Sequence, residues 1–513
     1  MTSSPARPQN GKAKAPFTAG GLTANFFRLA TGESLAKLFT FFAFTYLGRM
    51  RGQADYGAVE FTIAVMIFFT LPVDFGLSHY GARELAKENE PSSRLLDEIF
   101  TLRLMLSLVS FAALLSFVLV LPHQNEPKLL LLFYGASLLV TPFLLQWFFQ
   151  AQNRMGVVAW VSIVRQSTFA ALLLLLLRPD TPLHYLGLVE FASVAAAGLF
   201  CLFVLRVRLH HPLPRLNFAT GRLATHMKAA LPIGMSELTW ASLWYLATVL
   251  LGLIAAGGAV GVFGAAHRVT MAVHTFVWLY FFNLLPSITR CVALPKSRYL
   301  DLMDGSITVS VWVGLLIALG ATFLAGPGMA LIFGPAFESS GGALAILIWI
   351  IPVALLSGHY RFTLLAYSHQ KWLMICSGLA AMFSASLCVV LIPRFGPQGA
   401  ASALLAALAF ELLLTRYAVH RIIHSIPLAR AIAPSLAAAA VSVALREGIL
   451  FAGNWWAAAA ALSLYLTLGI IGNRSRLQVF AGLLQQRYAP AGVSQRWKAL
   501  SPLQRVLTQE VEP

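Results

Sequence analysis

Apolar runs of about 20 residues recur along the chain and are separated by short polar segments. Folded as an α-helix, a run of this length crosses the ~30 Å hydrocarbon core of a bilayer. The pattern therefore predicts an all-α integral membrane protein with about 14 transmembrane helices. The predicted spans are residues 22–48, 57–80, 99–121, 129–150, 156–177, 183–205, 229–254, 260–288, 303–332, 342–366, 372–393, 398–420, 428–449 and 455–472.

The composition agrees with this pattern, because 58% of the residues are hydrophobic and only 11% are charged. A soluble domain has ~25% charged residues. The four cysteines show no paired spacing, so the sequence predicts neither a metal site nor a disulfide framework. No P-loop and no Ser/His/Asp set stand out in the sequence. We therefore expect this chain to use no cofactor and not to be an enzyme.

The net charge of +17 is divided unevenly between the two predicted sides of the membrane. Alternating the predicted helices across the bilayer places roughly 26 Lys and Arg residues on one side and roughly 6 on the other. The positive-inside rule then predicts that both termini are cytoplasmic, which requires an even number of helices. Because anchoring to an anionic leaflet explains the basic excess, no nucleic-acid partner is expected.

Polar segments and an internal repeat divide the chain into predicted regions. A Leu-Gly pair followed nine residues later by Gly occurs at Gly48 and again at Gly252, and six predicted helices separate the copies. An even offset gives the two copies the same orientation, although such glycines also serve plain helix packing. The predicted regions are a disordered cytoplasmic tail (1–20), a first lobe with helices 1–6 (21–208), a cytoplasmic loop (209–228), a second lobe with helices 7–12 (229–423), helices 13 and 14 (424–473) and an amphipathic cytoplasmic tail (474–513).

Three consecutive aromatic residues, Trp147 to Phe149, end the fourth predicted span. Aromatic side chains are enriched where a helix leaves the hydrocarbon core. We therefore expect these three residues to lie in an aromatic belt at the membrane surface.

Several charged residues lie inside the predicted spans, where an ionisable group is costly and by default marks a functional site. The site candidates among them are Arg28 and Lys37 in the first span, Asp74 in the second, Glu237 in the seventh and Arg268 in the eighth. Arg268 and Glu237 each lie about 12 Å along their helices from opposite membrane boundaries. Both side chains are therefore expected near the middle of the bilayer.

An ordered series of short motifs resembles bacterial O-antigen and polysaccharide flippases. These belong to the multidrug/oligosaccharidyl-lipid/polysaccharide exporter superfamily, and the resemblance extends more distantly to the lipid II flippases. The motifs are LGRMRGQADYG (47–57), VDFGLSHYGARELA (73–86), QWFFQAQNRM (146–155), ALPIGMSEL (230–238), VGVFGAAHRV (260–269), LLPSITR (284–290), IFGPAFESS (332–340) and IPRFGPQGAASA (392–403).

The resemblance implies two six-helix lobes in a V around a central cavity, followed by two extra helices, in the bacterial cytoplasmic (inner) membrane. It implies a flippase that carries a polyprenyl-diphosphate-linked oligosaccharide from the inner to the outer leaflet by alternating access. The implied partners are this lipid-linked glycan and the membrane lipids, possible H⁺ or Na⁺ as coupling ion, and a polysaccharide polymerase or glycosyltransferases of the same pathway.

Each charged residue has a functional and a structural interpretation. Arg268 occupies the position of the cavity arginine in lipid II flippases, and its guanidinium can bind the diphosphate bidentately or pair with a carboxylate. Lys37 and Arg28 are further substrate-binding candidates, although Lys37 can pair with Glu33 four residues before it and Arg28 can snorkel. Glu237 is the candidate for ion coupling or for a charge pair. Asp74 lies in a predicted kink near the inner end of helix 2, where its carboxylate can act in gating or cap the helix. His267 is expected to be a packed polar residue.

Two other functions remain open at this point. A drug/cation antiporter of the same superfamily would favour acidic groups in a less cationic cavity than one holding Arg268 and Lys37. A membrane subunit of a polysaccharide export machine would not need the charged residues at all. A glycan polymerase or ligase should carry a large outer loop, and the predicted outer loops are short.

Overall fold

The computed structural model describes residues 19–87, 93–121, 125–218, 220–255, 257–292, 295–426, 428–449 and 453–488. Within these ranges, the side chains of residues 19–30, 125, 220, 257 and 475–488 are outside the description. Most of the predicted N-terminal tail (1–20) and the end of the predicted C-terminal tail (474–513) therefore lie outside the described residues.

The described residues form sixteen α-helices with short 3₁₀ and π-helical segments between them, and they contain no strand. This confirms the predicted all-α class. The helices are α1 (Ala19–Asp74), α2 (Leu77–Lys87), α3 (Ser93–Val120), α4 (Asn125–Gly135), α5 (Gln146–Ala151), α6 (Met155–Leu176), α7 (Tyr185–Phe203), α8 (Thr220–Ile254), α9 (Gly257–Cys291), α10 (Lys296–Phe323), α11 (Ala325–Phe333), α12 (Ser340–Leu347), α13 (Ile350–Ala366), α14 (Gln370–Ile422), α15 (Leu428–Gly448) and α16 (Asn454–Tyr488).

The described residues contain 12 helical segments long and apolar enough to cross a membrane, which makes this a multi-pass membrane protein. Two of these segments, Thr31–Lys87 and Gln370–Ile422, are 57 and 53 residues long. A single crossing needs only ~20 residues. Each long segment bends at a glycine with non-helical backbone angles, at Gly52 (φ 74°) and at Gly396 (φ 54°). Counting each as two crossings gives 12 + 2 = 14, in agreement with the predicted number.

The two bends occur where the sequence pattern placed loops. Gly52 lies between the predicted spans 22–48 and 57–80, and Gly396 lies between the predicted spans 372–393 and 398–420. Both glycines have positive φ, which residues with a Cβ rarely adopt. The chain thus turns at these points without a long connecting loop.

The chain divides into two compact units, residues 1–44 with 68–237 and residues 45–67 with 238–513. The predicted lobes differ from this division in two segments. Residues 45–67 belong to the second unit although they precede the predicted boundary at 209–228, and residues 229–237 belong to the first unit although they follow it. The predicted domain boundaries themselves stay a prediction.

The core of the first unit contains the aromatic residues at the start of α5. Trp147 is 2% exposed and Phe148 and Phe149 are 0% exposed, in a cluster with Leu96 and Leu205. The prediction of an interfacial aromatic belt is therefore wrong. The helix α5 is six residues long and packs against α2 and α6, in a cluster that also contains residues of α3 and α7, so it buries side chains that point in three different directions.

Candidate functional site

An ion pair between Arg268 of α9 and Glu60 of α1 lies inside the second unit. The Arg268 Nε donates to the Glu60 Oε1 at 2.7 Å, and the two side chains are only 17% and 9% exposed. A buried charge is costly unless an opposite charge compensates it. Glu60 is thus the carboxylate counter-ion of the main predicted substrate-binding residue.

Glycines in α8 and α9 allow this close approach. A Cβ at Gly264, one turn before Arg268, would lie 2.6 Å from the Glu60 side chain. A Cβ at Gly261 would lie 2.0 Å from the carbonyl oxygen of Gln53, and one at Gly252 would lie 2.2 Å from the Phe61 ring. Small residues at helix contacts let backbones approach closely. The second copy of the glycine repeat therefore packs against residues 53–61.

Aromatic rings enclose the ion pair. Tyr56 and Tyr245 lie next to Arg268 and Glu60. His267 is 6% exposed, and its ring stacks on Phe263 with centroids 5.6 Å apart and planes 13° apart. The structure thus confirms that His267 is a packed polar residue.

Glu60 is not among the site residues predicted from the sequence. This residue lies three positions inside the predicted span 57–80, close to the span's end, where a charge is unremarkable in a sequence pattern. The rule that ionisable groups inside a span mark functional sites would have found it. Its pairing with a residue more than 200 positions away is a property of the tertiary structure alone.

Residues 49–56 contact the end of α11 and the segment that follows it, and we call these contacts the 49–56 latch. The Arg49 guanidinium donates to the carbonyl oxygens of Leu331 and, at 2.8 Å, of Ile332. The last carbonyls of a helix have no partner within that helix, so a cation there is favourable. Gly334, with φ 100°, ends α11 directly after these residues.

The remaining latch contacts involve one amide and one aromatic ring. The Gln53 Nε2 donates to the Ser339 Oγ at 2.9 Å and to the carbonyl oxygen of Ala336. Tyr56 is fully buried and meets the rings of Phe333 and Phe337 edge-on, with centroids 5.6 and 5.4 Å apart. The latch therefore holds residues 49–56, which precede Glu60 in α1, against the end of α11 within the second unit.

The other predicted cations are on the first half of α1. Lys37 has an exposed side chain, and Glu33, one turn earlier, accepts a hydrogen bond of 2.6 Å from the Ser162 Oγ of α6. Arg28 lies in α1, but its side chain is outside the described part of the chain. Their predicted roles in substrate binding stay predictions.

Asp74 is held in place by a buried arginine. Its Oδ1 lies 3.1 Å from the Arg103 Nε and accepts a hydrogen bond of 2.5 Å from the Ser78 Oγ. Arg103 also donates to the carbonyl oxygen of Leu144 at 2.9 Å. Positive φ angles at the two residues after Asp74, 39° and 78°, bend the chain between α1 and α2. The carboxylate therefore fixes this bend to α3 and to the segment before α5.

Glu237 of α8 lies beside the same bend. Its Oε1 is 3.3 Å from the Nε2 of His79, and the two side chains are 26% and 68% exposed. Gly76 and Gly234 make this approach possible, because a Cβ on Gly76 would lie 2.7 Å from the backbone nitrogen of Gly234. A partly exposed carboxylate beside a histidine is an arrangement able to exchange a proton or bind a small cation.

Two further buried carboxylates pair within their own units. The Arg165 Nη2 donates to the Glu190 Oε1 at 2.6 Å in the first unit, and the Arg361 Nη1 donates to the Glu411 Oε1 at 2.5 Å in the second. The four cysteines are free and buried. Among the described residues, no group of three or more His, Cys, Asp and Glu could hold a metal ion.

The sequence profile of the polysaccharide biosynthesis protein family matches residues 22–292. The chain belongs to this family. The matched range includes Lys37, Glu60, Asp74, Glu237 and Arg268, and therefore both halves of the Arg268 pair.

One relative and two solved structures are similar to this polysaccharide biosynthesis protein. A protein of Escherichia coli (strain K12) named "Putative O-antigen transporter" is 21% identical over 403 residues, 75% of this chain and 93% of the relative. The lipid II flippase MurJ in an inward closed conformation has a TM-score of 0.68 and 14% identity, over 89% of this chain and 99% of MurJ. An inward-facing multidrug resistance MATE transporter has a TM-score of 0.61 and 12% identity, over 77% and 98% of the two chains. The two structures show a shared fold.

Proposed function

We propose that this protein is a flippase for a polyprenyl-diphosphate-linked oligosaccharide. It carries this lipid from the inner to the outer leaflet of the bacterial cytoplasmic membrane by alternating access, for the biosynthesis of a surface polysaccharide such as O-antigen. The family, the name of the Escherichia coli relative and the fold shared with a lipid II flippase support the proposal. Both termini lie in the cytoplasm, as the distribution of Lys and Arg indicates.

The observation that carries the proposal is the buried Arg268 with its counter-ion Glu60, 2.7 Å away. A cation site inside a membrane protein needs a resident negative charge while no anionic substrate is bound. A diphosphate offers Arg268 more negative charge than one carboxylate and matches the guanidinium geometry. In our proposal the substrate diphosphate replaces Glu60 at Arg268, and Glu60 returns when the substrate leaves.

The remaining candidates have subsidiary roles in this proposal. Lys37 and Arg28 add positive charge along α1 for the head group. Asp74 is a gating residue, because it fixes the bend between α1 and α2 through Arg103. Glu237, with His79, binds the coupling ion, H⁺ or Na⁺. Glycosyltransferases supply the substrate on the cytoplasmic side, and a polymerase uses it after transport.

The fold shared with a MATE transporter favours a second candidate function, a drug/cation antiporter. An antiporter binds a cation, for which the Arg268 guanidinium is repulsive. The two functions therefore predict substrates of opposite charge.

Reconstituted transport tests the proposal directly. We expect purified protein in proteoliposomes to move a fluorescent polyprenyl-diphosphate oligosaccharide to the outer leaflet, where a membrane-impermeant glycosidase cleaves it. Liposomes without protein and liposomes with heat-denatured protein are the controls. If cleavage is no faster than in the controls and the protein takes up a cationic dye against an ion gradient, the result would contradict the flippase function and support the antiporter function.

Glu237 provides a test of ion coupling. If Glu237 binds the coupling ion, Glu237→Gln should reduce transport driven by a pH or Na⁺ gradient to the gradient-free rate, because the amide can neither ionise nor carry a proton. Glu84→Gln is the matched control, since Glu84 lies in α2 and its side chain is 27% exposed against 26% for Glu237. An unchanged gradient dependence in Glu237→Gln would remove Glu237 from the coupling step.

A further inference from the structure

A non-helical segment of the first unit, residues 211–218, leads from the end of α7 towards α8, and we call it the α7–α8 segment. Side chains of α3 bind its backbone. The N–H of Arg215 donates to the Asp97 Oδ1 at 2.8 Å, and the N–H of Asn217 donates to the Thr101 Oγ1 at 2.9 Å. The segment is therefore fixed in place although it has no regular secondary structure.

The two contacts also determine how the segment runs. Asp97 and Thr101 are one turn apart on α3, which separates them by ~6 Å along the helix. Arg215 and Asn217 are two residues apart, and two residues of an extended chain cover ~7 Å. The segment therefore runs extended beside the first turns of α3, at the level where the sequence predicts that the span 99–121 begins.

Most backbone N–H groups of the segment do not need water. Three of the seven residues from 211 to 217 donate within the protein, two of them to α3 and one, His211, to the carbonyl oxygen of Leu205 at 3.1 Å. Pro212 and Pro214 have no N–H. Unpaired backbone groups are what keeps non-helical chain out of lipid, so a segment whose donors are largely satisfied or missing can leave bulk water.

The segment nevertheless turns its large apolar side chains outward. Leu213, Leu216 and Phe218 are 46%, 55% and 59% exposed. Leu216 and Phe218 are two residues apart, so in an extended chain their side chains lie on the same side. Exposed apolar side chains on an ordered segment indicate an apolar environment that covers them.

The end of α7 indicates which environment this is. Leu199, Phe203 and Val207 are exposed, are spaced four residues apart and lie on α7 and the π-helical turn after it. On a membrane-spanning helix such an apolar stripe faces the acyl chains. The lipid-facing stripe of α7 thus reaches the level at which the α7–α8 segment begins.

We propose that the α7–α8 segment lies in the cytoplasmic leaflet, at the boundary between head groups and acyl chains, with its three exposed apolar side chains among the acyl chains. Amphipathic elements at this boundary bury their apolar side ~5–10 Å deep. The α3 side chains take the place of water as acceptors for the segment's backbone. This lipid contact belongs to the first unit and does not depend on the proposed transport function.

Spin-label accessibility measures this placement. A single cysteine at Leu213, Leu216 or Phe218 carries a nitroxide in the full-length protein, in nanodiscs of dioleoyl phosphatidylcholine. All four native cysteines are buried, so the label reports the introduced position. We expect more collisions with O₂, which concentrates among acyl chains, than with nickel ethylenediaminediacetate, which stays in water. Because apolar side chains and not the neighbouring arginines cause the immersion, we expect it in this lipid without net charge.

Two exposed positions of the same unit provide the references. Leu199→Cys, on the lipid-facing stripe of α7, is the acyl-chain control, and Lys87→Cys, at the end of α2, is the water control. Labels as open to the nickel complex as the one at Lys87 would place the segment in water, where a soluble partner could cover it. Labels closed to both reagents would place it against protein. Either result overturns the proposal.

Thr101 tests the requirement for backbone acceptors. Thr101→Val keeps the shape of the side chain but removes the acceptor of the Asn217 N–H. We expect the label at Leu216 to lose collisions with O₂ and gain collisions with the nickel complex, because the freed N–H moves towards water. Thr101→Ser keeps the hydroxyl and should leave both collision rates unchanged. Equal rates in Thr101→Val and the parent protein would overturn the role proposed for the α3 side chains.

Discussion

Replacing both Arg268 and Glu60 with Gln is expected to abolish glycan transport in a protein that still folds. Arg268→Gln alone removes the guanidinium that we propose binds the diphosphate, and the loss of one charge-assisted contact weakens substrate binding about tenfold to hundredfold. It also leaves the Glu60 carboxylate buried without its cation, which costs about 3–5 kcal/mol of stability. A loss of transport in the single variant could therefore come either from lost substrate binding or from lost stability.

The double variant separates these effects. Glu60→Gln with Arg268→Gln removes both charges, and two amides can still hydrogen-bond across the 2.7 Å contact. We expect thermal stability to recover most of what Arg268→Gln loses, while transport in proteoliposomes and surface glycan in cells remain absent. Wild-type transport by the double variant would show that Arg268 does not hold the substrate.

A second buried pair provides the control. Arg361 and Glu411 form a similar contact in the same unit, 2.5 Å against 2.7 Å, and Glu411 is 1% exposed. Arg361→Gln with Glu411→Gln removes the same two charges from a pair to which we assign no substrate. Transport by that variant, per amount of folded protein, should equal the wild-type rate.

Locking the 49–56 latch is expected to stop transport completely and reversibly. Alternating access requires some contacts to open during the cycle. We expect the latch, which holds residues 49–56 to the region of Ser339, to be one of them. Cysteines at Gln53 and Ser339, joined by a short thiol cross-linker, should reduce transport to the background rate. Reduction of the link should restore it, because the two substitutions together remove only the two exposed hydrogen bonds that the Gln53 amide donates.

The native cysteines do not compete for the reagent in the folded protein, because all four are buried. Thr40 and Gln166 provide a control pair: their side chains are 2.8 Å apart within the first unit, and a cross-link there should leave transport intact. Undiminished transport in the linked Gln53–Ser339 protein would show that the latch stays closed throughout the cycle.

The sequence alone predicted the positions of the bends and the approximate number of crossings. Gly52 and Gly396 lie in short polar interruptions between long apolar runs, and hydrocarbon thickness fixes how long each run must be. The packed state of His267 followed from its place beside Arg268 on a helix. These features depend on local length and periodicity, which a linear pattern contains.

The aromatic residues at 147–149 show where a linear pattern fails. The sequence indicates apolar, interface-favouring side chains there, but it does not show that α5 packs against α2 and α6 in the core of the first unit. The same side chain can lie in lipid, at the interface or in the protein core, because all three environments accept an aromatic ring.

The sequence by itself determined an all-helical membrane protein of about 14 crossings, and it identified Arg268, Asp74 and Glu237 as charged residues inside them, although not Glu60. Only the tertiary structure decided how those charges are compensated: Arg268 by Glu60, Asp74 by Arg103, and Glu237 beside His79. The physical reason is that the free-energy cost of placing a charge inside the membrane depends on the span in which the residue lies, and hydropathy along the sequence shows that span. The identity of its partner depends on which helices the glycines bring together.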